Sequence, residues 1–315
     1  MDRSLRIVFM GTPEFAVPSL DILVKSGFDI AAVVTAPDKP SGRGQQLTQS
    51  AIKKYAVQHN LKILQPDKLR APEFIEGLRS LKANLFVVVA FRMLPQSVWQ
   101  MPEYGTFNLH ASLLPQYRGA APINRAIING EKETGITTFF LQQDIDTGNI
   151  LFQEKIKIEE EDNAGTVHDK LSASGASLVL KTVRAIENNS YKETSQLSTL
   201  NSPLSTLHHA PKIFKQDGEI SWNKTALEIH NLIRGLSPYP SAFTLLDGKV
   251  LKIYKSIPSG NKNQFIEIGD YITDNKTFLS YKCADGYLDI LELRLEGKKR
   301  MTIDEFLRGY QFPER

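Results

Sequence analysis

The chain has 315 residues, 41% of them hydrophobic and 23% charged, which is ordinary globular usage and excludes disorder throughout. One cysteine, Cys283, excludes a disulfide framework and a cysteine-based zinc site; it reads as a small buried hydrophobe in a reducing compartment. Lys and Arg total 38 against 35 Asp and Glu, a formal net charge of +3, so a nucleic-acid partner has to be met by local patches rather than a global field.

The longest apolar runs, such as 85–91, fall far short of the roughly 18 residues needed to span a membrane. Residues 1–4 lead into a strand-like run with no signal-peptide pattern. The expectation is a cytoplasmic protein of about two domains.

In chain order, 5–10 reads as a buried strand ending at Gly11. Thr12 reads as an N-cap, Pro13 as the first residue of a helix to about Lys25, and Gly27 as its close. Strand patterns follow at 30–34, 61–64 and 85–91, with helical patterns at 51–59 and 72–81. This alternation predicts an α/β fold, a doubly wound, mostly parallel sheet of Rossmann-like type with both faces covered. Further strands are expected at 105–110 and 136–141, a helix from Pro122 to about Gly130, and a long helix from near Thr166. On that helix Val167, Leu171, Leu178 and Ala185 share one face, with the small Ser174 between them. Residues 194–207 carry Leu-Ser-Thr-Leu twice and read as a polar linker with no buried face. Beyond it come an amphipathic helix at 226–234 and short strands at 243–245, 250–254, 264–268, 277–282 and 287–293. Asp247-Gly248 and Asp285-Gly286 are turn signals between them. The spacing predicts a small OB-like β-barrel. The expected domains are 1–189, a linker 190–208, and 209–315.

The first strand–turn–helix reads Gly11-Thr12-Pro13-Glu14-Phe15, without the glycine pattern of a dinucleotide site, so a nicotinamide dehydrogenase is disfavoured. Ser41-Gly42-Arg43-Gly44 is not a P-loop. The stretch 37–44 reads either as a flexible loop or as a basic lip offering Lys39, Arg43, Lys53 and Lys54 to phosphates. The strongest constellation is 107–122, Phe-Asn-Leu-His-Ala-Ser-Leu-Leu-Pro-Gln-Tyr-Arg-Gly-Ala-Ala-Pro. Side chains two apart on a strand share a face, so Asn108 and His110 stand together near its carboxyl end. An amide donor beside an imidazole suits an oxyanion formed at a carbonyl; the bland alternative is a structural hydrogen-bonded pair. Asp144-Ile145-Asp146-Thr147-Gly148 lacks EF-hand spacing and reads as a solvated turn unless one acid approaches His110. No His, Asp and Glu cluster has metal-ligand spacing, so no metal is expected, and no serine nucleophile elbow is present.

Segments 7–20, 37–44, 107–126 and 144–148, with 210–212, 230–239 and 297–309 towards the C-terminus, carry a likeness to a known family. On them the chain resembles the methionyl-tRNA formyltransferase family over nearly its whole length. The resemblance implies a formyltransferase-type α/β domain followed by an OB-like tRNA-binding domain. It implies formyl transfer from 10-formyltetrahydrofolate, as co-substrate, to the α-amino group of methionyl initiator tRNA. By the same resemblance Asn108, His110 and Asp146 are catalytic, Ser112, Leu113, Leu114 and Pro115 contact folate, and Lys39 and Arg43 belong to the segment reaching the tRNA. A monomer without a membrane partner is expected. One departure is Phe91-Arg92-Met93-Leu94-Pro95, where many members carry glycine at the position of Arg92; arginine is expected to change the local folate-site wall. Two other readings share these residues: a formyltransferase for a small-molecule amine, such as an amino sugar or a purine-pathway ribonucleotide, and a catalytically silent tRNA-binding protein.

Overall fold

The computed structural model describes residues 4–41, 46–199, 207–260, 262 and 266–312. Two compact units are present. The first gathers Met1–Gly119, Thr134–Ile156 and His168–His209, and the second Ala120–Glu133, Lys157–Val167 and Ala210–Arg315. Both are therefore discontinuous in sequence.

The elements of the first half are β1 (Arg6–Gly11), α1 (Val17–Lys25), β2 (Asp29–Val34), β3 (Lys39–Ser41), β4 (Gln46–Thr48), α2 (Ala51–Gln58), β5 (Ile63–Leu64), α3 (Pro72–Ser80) and β6 (Leu85–Val89). They continue with α4 (Gln96–Trp99), β7 (Thr106–His110), β8 (Arg118–Gly119), α5 (Pro122–Ile128), β9 (Glu133–Phe140), β10 (Ile150–Lys157) and α6 (Ala164–Glu187). A seven-stranded sheet runs in the order β10-β9-β7-β6-β1-β2-β5. The pairs β1–β2, β1–β6, β2–β5 and β6–β7 are parallel, whereas β7–β9 is antiparallel. Its strands are apolar because both faces are covered: Ile7, Val8, Phe9, Val33, Phe86, Val87 and Phe107 are fully buried.

Local chemistry explains where the elements depart from expectation. Thr12 caps nothing; Pro13 opens a 3₁₀ turn at Glu14–Ala16, and α1 starts only at Val17 with Pro18 in its first turn, where a missing N–H costs no bond. Strand β6 stops before 91 because Ala90 takes a positive φ of 48°. Strand β10, which was not expected, is an edge strand with four exposed positions, so it lacks an apolar run. The long helix does bury Val167, Leu171, Leu178 and Ala185.

The C-terminal elements are β11 (His209–Ala210), α7 (Ala226–Leu236), β12 (Ala242–Leu246), β13 (Lys249–Ser259), β14 (Tyr271–Thr273), β15 (Leu279–Lys282), β16 (Tyr287–Leu295), β17 (Met301–Thr302) and α8 (Ile303–Leu307). An antiparallel sheet runs β12-β13-β16-β15-β14, with β17 on β16. This is the OB-like domain, its core built from Ile229, Ile233, Leu251, Ile253, Tyr281 and Leu293 among others. Asp247 and Gly248 both take positive φ, as a tight hairpin turn demands. A reciprocal capping box between Thr225 and Glu228 starts α7. The strand expected at 264–268 lies partly outside the described residues, and 266–268 are not in a strand. Cys283 is fully buried, and that burial pushes its thiol up to about 12. Among the described residues no helix is long and apolar enough to cross a membrane.

His230, on α7, gives this unit a pH dependence. Its Nδ1 lies 3.1 Å from Ser256 Oγ, and burial, helped by the Arg234 charge and opposed by Glu161, lowers its pKa to about 4. The folded state thus holds the neutral ring, and the unfolded chain binds the proton first as pH falls. Stability from this residue is full above about pH 6.5 and is lost as pH falls towards 4, by on the order of 2 kcal/mol once partial exposure is allowed for. His230→Gln is expected to flatten the stability slope between pH 6.5 and 4; equal slopes in denaturant titrations would refute it.

Candidate active site

The site lies in the first unit, on β7. Asn108 is registered with Val88 of β6 and Phe139 of β9, and His110 with Thr137. Leu109, between them, points the other way: a Cβ on Gly175 of α6 would stand 2.7 Å from its Cδ2, so a side chain there would have to displace Leu109. Thr138 and Thr182 also bond across that buried contact at 2.9 Å. Asn108 and His110 therefore share the opposite face, with His110 ending the strand where α/β sheets collect ligands.

His110 is buried, and its Nε2 donates to the Tyr117 carbonyl at 2.9 Å. Its Nδ1 faces Asp146 Oδ2 at 3.8 Å. Asp146 Oδ2 accepts the Gly119 N–H at 2.9 Å. No described residue bonds Asp146 Oδ1 or the Asn108 carboxamide, so an acceptor and an amide group are available to a ligand. Of the two acids only Asp146 reaches the histidine; Asp144 is exposed. Burial lowers the Arg118 pKa, the Asp146 charge opposing it.

Ser112–Pro115 is pinned from beneath. Thr137 Oγ1 donates to the Ser112 carbonyl at 2.7 Å and accepts the Leu114 N–H at 3.2 Å, and Gln153 Nε2 donates to the Leu114 carbonyl at 2.8 Å. Ser112 Oγ donates to the Gln116 carbonyl at 2.6 Å. Ser112, Leu114 and Pro115 are buried, leaving Leu113 as the partly exposed member of the four.

The basic lip is only partly free. Lys39 is exposed on the β3–β4 hairpin. Lys53 instead pairs with Asp38 at 2.5 Å, and with Gln65 it holds the Asp38 carboxyl below the usual carboxylate range. Arg43 lies outside the described residues. Arg92 takes no positive φ; that conformation falls on Ala90. Its guanidinium bonds the carbonyls of Pro66 and Asp67 at 2.8 and 3.0 Å. Among the described residues no group of three or more His, Cys, Asp or Glu is placed to hold a metal ion.

Pattern reading missed the Tyr117 carbonyl and the Gly119 N–H, because backbone partners leave no residue-type signal. It also missed Gln196, which sits in the stretch read as having no buried face. Gln196 is 2% exposed and bonds both Arg118 and the Asp146 turn. Gly148, which closes that turn, is sterically committed: a Cβ there would lie 1.6 Å from the Phe140 carbonyl oxygen. Gly148→Ala is expected to destabilise the chain by about 1–3 kcal/mol, seen as a lowered melting temperature.

Residues 5–183 match the family model described as Formyl transferase, and residues 212–311 the one described as Formyl transferase, C-terminal domain. A methionyl-tRNA formyltransferase of Phocaeicola vulgatus is 54% identical over 315 residues, covering 98% of this chain and 97% of its own. One from Bacteroides thetaiotaomicron is 49% identical over 317 residues, covering 99% and 98%. Among solved structures, WlaRD, a sugar 3N-formyl transferase in the presence of dTDP and 5-N-formyl-THF, is similar with a TM-score of 0.66 at 25% identity, covering 94% of this chain and 100% of that one. HypX from Aquifex aeolicus, in complex with tetrahydrofolic acid, has a TM-score of 0.63 at 16% identity over 99% of this chain and 49% of its own, a likeness of fold alone. With both halves matched and half of all positions identical over nearly full length, the chain belongs to the methionyl-tRNA formyltransferase family.

Proposed function

We propose that this protein transfers the formyl group of 10-formyltetrahydrofolate to the α-amino group of methionyl initiator tRNA, for translation initiation in the cytoplasm, and that it works as a monomer. The observation that carries the reading is Asn108 beside His110 on one face of β7 with Asp146 facing the histidine, in a chain 54% identical to such an enzyme. The neutral amine attacks the formyl carbon, a C–N bond forms, and the carbonyl oxygen becomes an oxyanion. Asn108 donates to it. His110 acts as its cation, its Nε2 on the Tyr117 carbonyl and its Nδ1 facing Asp146, with its positive charge beside the oxyanion. The open Oδ1 of Asp146 receives the amine proton, through water. The bond to the folate nitrogen then breaks, that nitrogen regains a proton, and formylmethionyl-tRNA and tetrahydrofolate leave.

Residues 1–189 carry this chemistry, with Ser112–Pro115 at the folate, and 209–315 bind tRNA, the two joined by 190–208. Lys39, on β3, and Arg43 meet the tRNA phosphates. Arg43→Ala is expected to weaken tRNA binding and make its salt dependence shallower by about one phosphate contact; an unchanged salt slope in titrations would return that loop to a bland role. The founding test is formyl transfer by the purified protein with methionine-charged initiator tRNA, against uncharged tRNA, free methionine and a sugar amine. Activity only with the charged tRNA supports the reading. Turnover only with the sugar amine would move it to the small-molecule class.

A further inference from the structure

Gln196 belongs to no motif and lies in a stretch of serine, threonine and leucine. Its carboxamide is nevertheless fully used. Nε2 donates to the carbonyls of Asp146 and Gly148, both at 2.8 Å, while Oε1 accepts from Arg118 Nε at 3.0 Å and Nη2 at 2.6 Å. A primary amide is the neutral side chain that offers two donors and a two-lone-pair acceptor in one plane, so these bonds satisfy it completely.

What it joins matters more than how many bonds it makes. Arg118 stands between the two residues whose backbone touches the reacting pair: Tyr117, whose carbonyl accepts from His110, and Gly119, whose N–H donates to Asp146. On the other side, Asp146 holds φ at 54°, a left-handed conformation that a non-glycine residue keeps only when its surroundings fix it. The donor to the Asp146 carbonyl is one such fixture, and that to Gly148 holds the same turn two residues on.

We infer that Gln196 is a positioning residue for formyl transfer, clamping the Asp146 turn to Arg118 so that the carboxylate stays on Gly119 and facing His110. The inference rests on the catalytic reading of Asp146 above. Gln196 acts through the two turn carbonyls and the Arg118 guanidinium that it holds. A glutamate there would keep the acceptor for Arg118 but supply no donor to the two carbonyls.

The test uses the full chain, with kcat and KM measured for Gln196→Met, Gln196→Glu, Asp146→Asn and the two double variants. Each variant at 196 is expected to lower kcat by about 10- to 100-fold, the scale of a small misplacement of a reacting group, with KM for tRNA and folate within about twofold. In the Asp146→Asn background the same changes are expected to add less than about threefold, because the carboxylate they position is already gone. Gln196→Glu keeps the size and the Arg118 bond, so it decides the matter if Gln196→Met does not fold. Equal fold-losses in both backgrounds, a loss confined to KM, or full activity of both 196 variants would overturn the inference. A fully active Asp146→Asn would instead bring down the catalytic reading beneath it, and is told apart by that single variant.

Discussion

Asp146→Asn is expected to lower kcat for formyl transfer by about 10²- to 10⁴-fold, the usual contribution of a positioned proton acceptor, with KM for both substrates within about twofold. The variant is nearly isosteric, and its amide oxygen can still accept the Gly119 N–H that Asp146 Oδ2 accepts at 2.9 Å. What it removes is the negative charge opposite His110 Nδ1, at 3.8 Å, and the basic oxygen at Oδ1. In the proposed mechanism His110 then has no counter-charge beside the oxyanion, and the attacking amine loses the oxygen that takes its proton. Single-turnover formylation with the enzyme in excess over the charged tRNA measures the step directly. A variant as fast as the wild type would exclude Asp146 from the chemistry.

The second large effect is expected at Asn108. Asn108→Ala removes the donor proposed for the oxyanion, a contact typically worth 10²- to 10³-fold in rate or about 3–4 kcal/mol. Because the carboxamide bonds no described residue, its loss leaves no protein partner unsatisfied, and stability should hold. Binding of tRNA should also hold, since the oxyanion exists only as the reaction proceeds. Rate constants and tRNA titrations on the same preparation test both halves. A loss confined to tRNA affinity would contradict the oxyanion role.

The pairing of Asn108 with His110 was legible because a strand alternates its faces, and Leu109 between them is apolar. The approach of Asp146 was not. Strand β9 runs antiparallel to β7, with Phe140 registered on Phe107, so it ends away from His110. The turn after it must fold back along β7 to bring Asp146 to the ring, and no local pattern announces such a return. The seven-stranded sheet was readable wherever strands are buried on both faces, and failed at β10, whose exposed positions dilute the signal. The connector was misread for a related reason. Gln196 is a polar residue whose burial is made possible by partners far away in sequence, and composition counts it as surface.

Cys283 has a practical consequence. It is the chain's one sulfhydryl, fully buried and held in its protonated form. Maleimide dyes react with exposed thiolates, so the native protein offers them no target. Leu47→Cys, at a residue 70% exposed on β4, therefore yields a singly labelled protein without first stripping out a native residue. A fluorophore there sits on the strand paired with that of Lys39, and on the proposed function its emission is expected to change as tRNA arrives and leaves, independent of whether formyl is transferred.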